Sequence, residues 1–255
     1  MLDYKDDRLN VACTSADVGE GSMAADGSRS TVVTHAMEDY LKTIYELSQD
    51  QAQVTTSRVA ERMNVRPASA TGMLKTLAEL HLVTHTRYYG VSLTPAGERV
   101  ALEILRHHRL IERYLVEALG FGWDEVHDEA DRLEHVISEK FEARIATLLG
   151  HPTTDPHGAP IPAMDGTMPA HSSINLADVA IGHPHTITRV RGDNYPERLQ
   201  YLESLGLVPG KVVTVETAAP FEGPLTISVD RATVVLDRRM AILIAVQDND
   251  APARS

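Results

Sequence analysis

Apolar side chains recur with the spacing of an amphipathic helix through most of the first 150 residues. A period of 3.6 residues is typical of helices that bury one face. Thr94 followed by Pro95 predicts a helix start, because a threonine hydroxyl caps the first turn and proline suits its first position. The predicted helices lie in MEDYLKTIYELSQ, in TTSRVAERM, in RPASATGMLKTLAELH, from Pro95 to about Leu119, and in one long helix at roughly Val126–Leu149.

Two other regions have the alternating pattern of strands. Residues 82–94, LVTHTRYYGVSLT, predict a short hairpin that turns at Tyr89 and Gly90. Residues 151–173 hold five prolines and two glycines, which is typical of a loop or tether. Beyond them, HTITRV, KVVTVET, LTISVD and AILIAV predict short strands, interrupted by one helix in PERLQYLESLG.

The predicted fold is therefore mostly α-helical with a small β module. The first residues are rich in Gly, Ser, Asp and Ala and lack the basic and apolar segments of a secretory signal, so we expect a disordered leader. The expected segments are the leader at 1–34, a helix-turn-helix with its hairpin at 35–95, a second helical domain at 96–150, the proline-rich linker at 151–173, the β module at 174–247 and a tail at 248–255.

Composition narrows the functional classes. No apolar run is long enough to span a membrane. The single Cys13 excludes a disulfide framework and a thiolate metal cluster, and it fits a reducing cytosol. The net charge of −12 by itself argues against a nucleic-acid partner. Between Thr55 and Pro95, however, five basic and two acidic residues give a local charge of +3, and the local field governs docking on one face.

The segment TTSRVAERMNVRPASATGMLKTLAELHLVTH has the pattern of a helix-turn-helix. Its second helix starts with small polar residues and an arginine, which can reach phosphates and base edges in a major groove. The hairpin that follows would be a wing against the DNA backbone or the minor groove. An ordinary pair of packed helices is the alternative. The candidate DNA contacts are Arg66, Pro67, Ser69, Thr71 and Lys75 on the helix and Arg87 near the tip of the wing.

A second candidate site lies in HDEADRLEH, residues 127–135. On a continuous helix His127, Asp131, Glu134 and His135 share one arc at the border of the buried face. Two carboxylates there repel each other unless a cation compensates them, so a divalent metal is the expected partner. On such a helix Asp128, Glu129 and Arg132 point away, and we expect these three and His107 to lie at the surface.

Two upstream helices could complete this site. His108 and Glu112 are four positions apart and so share a face, and Asp39 lies near the start of the first helix. We expect one metal site from Asp39, Asp131, Glu134 and His135, and a second from His108, Glu112 and His127. Solvated acidic faces and ordinary core or surface histidines are the alternative explanation of each pair.

The order and spacing of MEDYLKTIYEL, the helix-turn-helix and wing, LTPAGE, RHHRLIERYL, HDEADRLEHVIS and DPHGAPIP resemble the diphtheria toxin repressor family of metal-dependent transcription regulators. The subgroup that is most similar contains the manganese transport regulators. The resemblance implies an N-terminal winged helix-turn-helix, a helical dimerisation domain and a C-terminal SH3-like barrel. It implies a primary metal site at Asp39, Asp131, Glu134 and His135, and an ancillary site at His108, Glu112 and His127. Asp193 is the expected additional ligand from the C-terminal domain, and Glu197 is the alternative.

The resemblance also implies the cofactor and the partners. Iron-responsive members have methionine and cysteine where this chain has Asp39 and Asp131, so the oxygen donors favour Mn(II), with Fe(II) as the alternative and Zn(II), Co(II) or Cd(II) as substitutes in vitro. We expect a cytoplasmic homodimer that binds a palindromic operator and represses metal-uptake genes, without a membrane partner or an organic substrate. An iron-responsive regulator, a metal-dependent hydrolase and a metal-storage protein or metallochaperone are the competing functions.

Overall fold

The computed structural model describes residues 33–50, 53–86, 90–169, 174–192 and 195–249. Residues 1–32 of the expected leader, the candidate DNA contact Arg87, the predicted turn residue Tyr89 and Asp193 lie outside these described residues. Within the described residues, no helix is both long enough and apolar enough to cross a membrane.

The N-terminal unit has the predicted helices and hairpin. Its elements are α1 (His35–Asp50), α2 (Thr56–Arg62), α3 (Pro67–Glu79), β1 (Val83–Thr86) and β2 (Gly90–Leu93). Thr55 caps α2 by accepting a hydrogen bond from the backbone N–H of Arg58, and Pro67 occupies the first turn of α3. The strands pair antiparallel, from Val83 opposite Leu93 to Thr86 opposite Gly90.

An apolar core holds this unit together. The fully buried side chains include Leu41 and Ile44 from α1, Val59 from α2, and Leu74 and Leu77 from α3. Their spacing is the helical pattern of the sequence, so the predicted inward faces are confirmed. Burial of large aliphatic side chains contributes about 1.5–3 kcal/mol each, which makes this core the main stabilising feature of the winged helix.

One long helix, α4 (Pro95–Leu119), connects the winged helix to the rest of the chain. It begins as predicted, since the Thr94 hydroxyl accepts from the backbone N–H of Gly97. Gly97 also permits close packing against the hairpin, because a Cβ at this position would lie 2.0 Å from the carbonyl oxygen of Leu82. The helix ends at Gly120, whose φ of 74° is in the left-handed region that glycine adopts readily.

The single long helix predicted at Val126–Leu149 is wrong. The structure has two helices there, α5 (Val126–Leu133) and α6 (Glu139–Leu148). Ser138 starts a new helix by accepting a hydrogen bond from the backbone N–H of Phe141. This side-chain cap competes with continuation of the first helix, as serine commonly does. Glu134 and His135 consequently lie in the turn between the two helices rather than on one helical arc.

Residues 151–169 contain no helix or strand, as predicted, but they are packed against α4 rather than forming a free tether. Arg106 donates to the carbonyl oxygen of Pro162, Arg109 to that of Pro160 and Arg113 to that of Asp155. The Asp155 carboxylate accepts two backbone N–H groups within the same loop. Because three arginines on one face of α4 bind loop carbonyls, the linker is held at a fixed position beside the helical domain.

The C-terminal module is a six-stranded antiparallel sheet with the order β3-β8-β4-β5-β6-β7. Its core comprises apolar residues from both ends of the module, among them Ile187, Leu202, Val213, Ile227 and Val246. The predicted helix and four strands are present; two additional strands and a short helix, α8, were not predicted. The elements are β3 (Ile174–Asn175), β4 (Pro184–Val190), α7 (Pro196–Ser204), β5 (Val212–Ala218), β6 (Leu225–Val229), β7 (Ala232–Leu236), α8 (Arg238–Ala241) and β8 (Ile244–Asp248), with a 3-10 turn at Leu176–Asp178.

Candidate metal centre

Carboxylates and imidazoles from α1, α4, α5 and the α5–α6 turn meet in the helical domain. Helix α4 supplies His108 and Glu112, which share a face because they are four residues apart. Both are buried, and so is Glu134 from the turn, which is 1% exposed. Buried ionisable side chains require charged or hydrogen-bonding partners, so their contacts with each other decide what this region can bind.

One group joins α1 to the turn. The Nε2 atom of His135 lies 2.8 Å from a carboxylate oxygen of Asp39 and 3.4 Å from one of Glu134. On its other side, Nδ1 of His135 lies 2.7 Å from a carboxylate oxygen of Glu38. Burial by itself disfavours the imidazolium, but the hydrogen bonds to Asp39 and Glu38 raise the pKa of His135 to about 9. Without a metal ion, a proton on His135 therefore compensates these carboxylates.

The second group lies between α4 and α5. The Nε2 atom of His108 is 3.0 Å from a carboxylate oxygen of Glu112 and 3.1 Å from Nδ1 of His127. Nδ1 of His127 is also 3.5 Å from Glu112. Although burial opposes ionisation of Glu112, the two imidazoles hold the pKa of this carboxyl well below its usual range. The three predicted residues of the second site are thus within mutual reach.

Asp131 is placed differently from the expectation. It forms a group with His108 and His127, whereas Asp39, Glu134 and His135 form a separate group. The distance from Nδ1 of His108 to Asp131 is 3.2 Å, and the same nitrogen is 2.6 Å from Glu134. His108 therefore touches both predicted sites. The reason is that α5 ends at Leu133, so Asp131 and His135 do not lie on one continuous helical face.

Lys42 of α1 is a member of this centre that the sequence analysis did not identify. Its ammonium lies 2.7 and 2.9 Å from the two oxygens of Glu134 and 2.9 Å from Asp131. Burial would lower the pKa of Lys42, but the two carboxylates raise it above its usual value. The available signal was its position three residues after Asp39, which puts both side chains on one face of α1.

These contacts test whether a metal ion suits the residues. Asp131 and Glu134 are compensated by the Lys42 ammonium and by protonated imidazoles, so the positive charge at the centre is supplied by the protein itself. Burial opposes ionisation of Asp131, yet His108 and Lys42 lower its pKa. A divalent ion could take the place of these protons and of the ammonium, because carboxylate oxygens and imidazole nitrogens are ligands of such ions.

The position of the predicted C-terminal ligand is not described, and Glu197 lies exposed in the first turn of α7. Two linker residues reach the second group instead. Asp155 and His157 are buried, and Nδ1 of His157 is 3.8 Å from Glu112. The other ring nitrogen of His157 donates to the carbonyl oxygen of Trp123. The polar residues within the proline-rich DPHG stretch were the signal for these contacts.

His107, expected at the surface, is buried with 4% of its area exposed. It lies with Glu103 and Glu139 in a further group of side chains between α4 and α6. The expectation is wrong because α4 is covered on both sides. Helix α5 packs on the His108 side, and the first turn of α6 packs on the His107 side.

The candidate DNA contacts line the start of α3. Arg66, Pro67 and Ser69 are exposed there, and Lys75 is exposed in the second half of the helix. Thr71 is half-buried, and its hydroxyl donates to the carbonyl oxygen of Pro67 at 2.8 Å. Four of the five predicted helix contacts are therefore free to meet a ligand, whereas the Thr71 hydroxyl is engaged within the helix.

Comparisons with known proteins agree with this architecture. The N-terminal DNA-binding domain of iron-dependent repressors matches residues 32–91, and their metal-binding and dimerisation domain matches residues 94–163. The iron-dependent repressor IdeR of Mycobacterium tuberculosis is 33% identical over 232 residues, which cover 82% of this chain and 96% of the relative. The chain belongs to the iron-dependent repressor family. Its C-terminal sheet, residues 174–248, matches the FeoA domain, which is SH3-like.

Solved structures extend the family likeness to the whole fold. A manganese-dependent transcriptional repressor in complex with manganese is 39% identical, with a TM-score of 0.78, and the match covers 83% of this chain and 99% of that structure. The manganese regulator SloR is 32% identical with a TM-score of 0.70, covering 84% and 98%. Membership in the family makes this chain a metal-dependent transcriptional repressor with DNA-binding and dimerisation domains, and not a hydrolase.

Proposed function

We propose that this repressor responds to manganese, and that a metal ion held by Asp39, Asp131, Glu134 and His135 joins its winged helix to its helical domain. One observation carries the proposal. Asp39 belongs to α1 of the DNA-binding unit, yet its carboxylate lies 2.8 Å from the imidazole of His135 beyond α5. A cation bound by both would fix the angle between the two units, and a fixed angle is what a dimeric DNA-binding protein needs.

The donor set supports manganese. The described side chains that meet at this centre offer carboxylate oxygens and imidazole nitrogens, which suit Mn²⁺ and tolerate Fe²⁺. Zn²⁺ and Co²⁺ would bind in vitro, since both stand above Mn²⁺ in the first-row affinity order for nitrogen and oxygen ligands, and Cd²⁺ is the proposed substitute outside that row. Selectivity in the cell would follow from coordination number and metal supply. The manganese-dependent repressors among the structural relatives favour the same assignment.

A second ion is proposed at His108, Glu112 and His127, with Asp193 as the candidate ligand from the C-terminal module. The three described residues already lie within 3.5 Å of one another through their polar atoms. His157 of the linker faces Glu112 from the side of the C-terminal module. An ion at this position would hold the linker and module against α4, and so support the first site.

DNA recognition is proposed to use Arg66, Pro67, Ser69 and Lys75 of α3, with Arg87 on the wing and Thr71 in a packing role. In a twofold dimer, the metal would set the separation of two α3 helices to match palindromic half-sites about 34 Å apart. Metal binding and DNA binding would then favour each other by about 1–3 kcal/mol of coupling. Such a regulator would act in the cytoplasm, on genes for metal uptake.

The decisive experiment measures binding of the full-length chain to the intergenic DNA upstream of its own gene and of metal-transporter genes by fluorescence anisotropy. Affinity should increase with Mn²⁺ and fall to a nonspecific level with a chelator. Asp39→Ala should abolish the Mn²⁺ response while circular dichroism stays unchanged. Asp128→Ala, which removes an exposed carboxylate of α5, is the matched control and should respond normally.

Iron is the second candidate, because the same ligands tolerate Fe²⁺. The anisotropy titration repeated with Fe²⁺ under anaerobic conditions separates the two. For each ion we compare the concentration that gives half-maximal DNA binding with the free concentration of that ion in the cell. We expect this ratio to be lower for Mn²⁺ than for Fe²⁺.

A full Mn²⁺ response in Asp39→Ala would rule out the proposed bridge between the units.

A further inference from the structure

We propose a third cation site, separate from the two proposed above, formed by Glu103 and His107 of α4 with Glu139 and Glu142 of α6. Ligand atoms of Glu103, His107 and Glu139 all lie within 4.8 Å of one another. The site faces α6, whereas the metal centre faces α1 and α5. We infer that it takes a divalent first-row transition ion, for which Mn²⁺ and Zn²⁺ serve as probes.

His107 is oriented as a ligand. Its Nδ1 atom lies 3.2 Å from the backbone carbonyl oxygen of Glu134, an arrangement in which Nδ1–H donates and Nε2 is turned towards the carboxylates of α6. Metal-binding histidines are commonly fixed in this way by a carbonyl behind the ring. The side chain is 6% exposed, and Nε2 has no hydrogen-bond partner among the described residues.

The carboxylates face this nitrogen at ligand spacing. Nε2 of His107 is 3.4 Å from an oxygen of Glu142 and 3.7 Å from an oxygen of Glu139. Ligand atoms bound at about 2.1 Å to one ion are separated by about 3.0–3.4 Å in octahedral or tetrahedral geometry. The distances from His107 to Glu142 and Glu139 are too long for good hydrogen bonds but are close to this separation. A small adjustment of the side chains would let them share one cation.

The local charge also calls for a cation. Glu103, Glu139 and Glu142 contribute three carboxylates, and Arg106 pairs with one oxygen of Glu142 at 2.5 Å. Burial raises the pKa of Glu103; the charge of His107 opposes this rise, and the neighbouring carboxylates of Glu139 and Glu142 add to it. A divalent ion would offset the remaining negative charge, and the exposed side chain of Glu139 leaves a path for its entry.

An ion at this site would link α4 to α6. Glu139 is the first residue of α6, directly after the turn that carries Glu134 and His135. An ion shared with α4 would therefore help to hold this turn in place. The mixed imidazole and carboxylate donors predict the same class of ion as the main centre.

Equilibrium dialysis of the full-length chain against Mn²⁺, followed by elemental analysis, counts the bound ions. At the concentration that saturates the wild type, His107→Gln and Glu139→Gln should each bind one ion fewer per chain. His183→Gln and Asp128→Asn remove an exposed histidine and an exposed carboxylate elsewhere, and both controls should bind the wild-type number. If His107→Gln fails to fold, the exposed position of Glu139 makes Glu139→Gln the deciding variant.

The double variant Asp39→Ala, His107→Gln tests the third site independently of the proposed function. It should lose two ions, because each substitution removes a different site. If the proposed metal bridge is wrong, Asp39→Ala should show normal Mn²⁺-dependent DNA binding. His107→Gln should still bind one ion fewer per chain than the wild type. Equal ion counts for the wild type, His107→Gln and Glu139→Gln would overturn the third site.

Discussion

The winged helix and the helical domain behind it are stabilised by different interactions. In the winged helix, residues such as Leu41, Leu74 and Leu77 form a continuous apolar core. The helical domain has smaller apolar clusters, such as Leu110 with Ile145, and its contact with α1 buries carboxylates, imidazoles and the Lys42 ammonium. Apolar burial is non-directional, whereas buried charges are stable only with a partner at short range. The apolar core of the winged helix should therefore be indifferent to metal, and the charged contact between α1 and the helical domain should respond to it.

The largest test of this contrast is Glu134→Gln. Its carboxylate contacts Lys42 and His108, so the substitution removes the shortest ion pair of each and leaves only Asp131 to compensate the Lys42 ammonium. We expect the metal-free protein to lose about 3–5 kcal/mol of stability. The stabilisation by Mn²⁺ should also disappear. Thermal unfolding with and without Mn²⁺ measures both effects, with Glu129→Gln on α5 as the control. Undiminished stabilisation by Mn²⁺ would remove Glu134 from the ligand set.

Leu77→Ala tests the apolar core of the winged helix. Leu77 is fully buried, so the substitution creates a cavity in the winged-helix core. We expect a loss of about 2–5 kcal/mol. The size of the Mn²⁺-induced increase in unfolding temperature of the helical domain should stay the same. Lys75→Ala, on the exposed side of α3, should be nearly neutral. A lost Mn²⁺ effect in Leu77→Ala would show that the two units are not independent.

The stability and Mn²⁺ affinity of the charged centre should depend on pH through His135, whose pKa is raised to about 9. Because the folded-state pKa is raised, the proton contributes stability to the metal-free protein below the unfolded value of about 6.5, and this contribution is lost as pH rises through 9. Mn²⁺ must displace the same proton, so its affinity should rise by up to about tenfold per pH unit below pH 9. Isothermal titration calorimetry between pH 6.5 and 9 checks the slope. A flat profile would exclude ligation by His135.

Lys42→Gln should have the smallest effect. The ammonium lies at 2.7 Å from Glu134 and competes with a metal ion for the same carboxylate. Removing this like charge should strengthen Mn²⁺ binding by roughly tenfold, because most of the repulsion of about 4 kcal/mol or more at an effective dielectric constant of about 20 is relieved when the flexible lysine side chain turns towards water. Calorimetric titration measures the change, and Lys140→Gln, whose lysine is exposed, serves as the control. Weaker Mn²⁺ binding would mean that Lys42 supports the site.

Sequence patterns predicted most of the secondary structure but only part of the centre. The Thr94 cap, the α2–α3 pair and the His108–Glu112 spacing depend on neighbours within about one helical turn, so each was readable locally. The break after Leu133 was missed because the serine cap at Ser138 outweighs a helical pattern that continues through it. The ligand assignments remain predictions.

The sequence by itself determined where most helices and strands form, and which carboxylates and imidazoles could bind a cation, because those properties depend on side-chain chemistry over short stretches. Tertiary structure decided the partners. Lys42 meets Glu134 across 92 positions, and His135 meets Glu38 across 97. It also buried His107 and moved Asp131 beside His108. Charge compensation in a protein interior acts over a few ångströms of space, so only the packing of α1, α4, α5 and α6 could settle which carboxylate faces which cation.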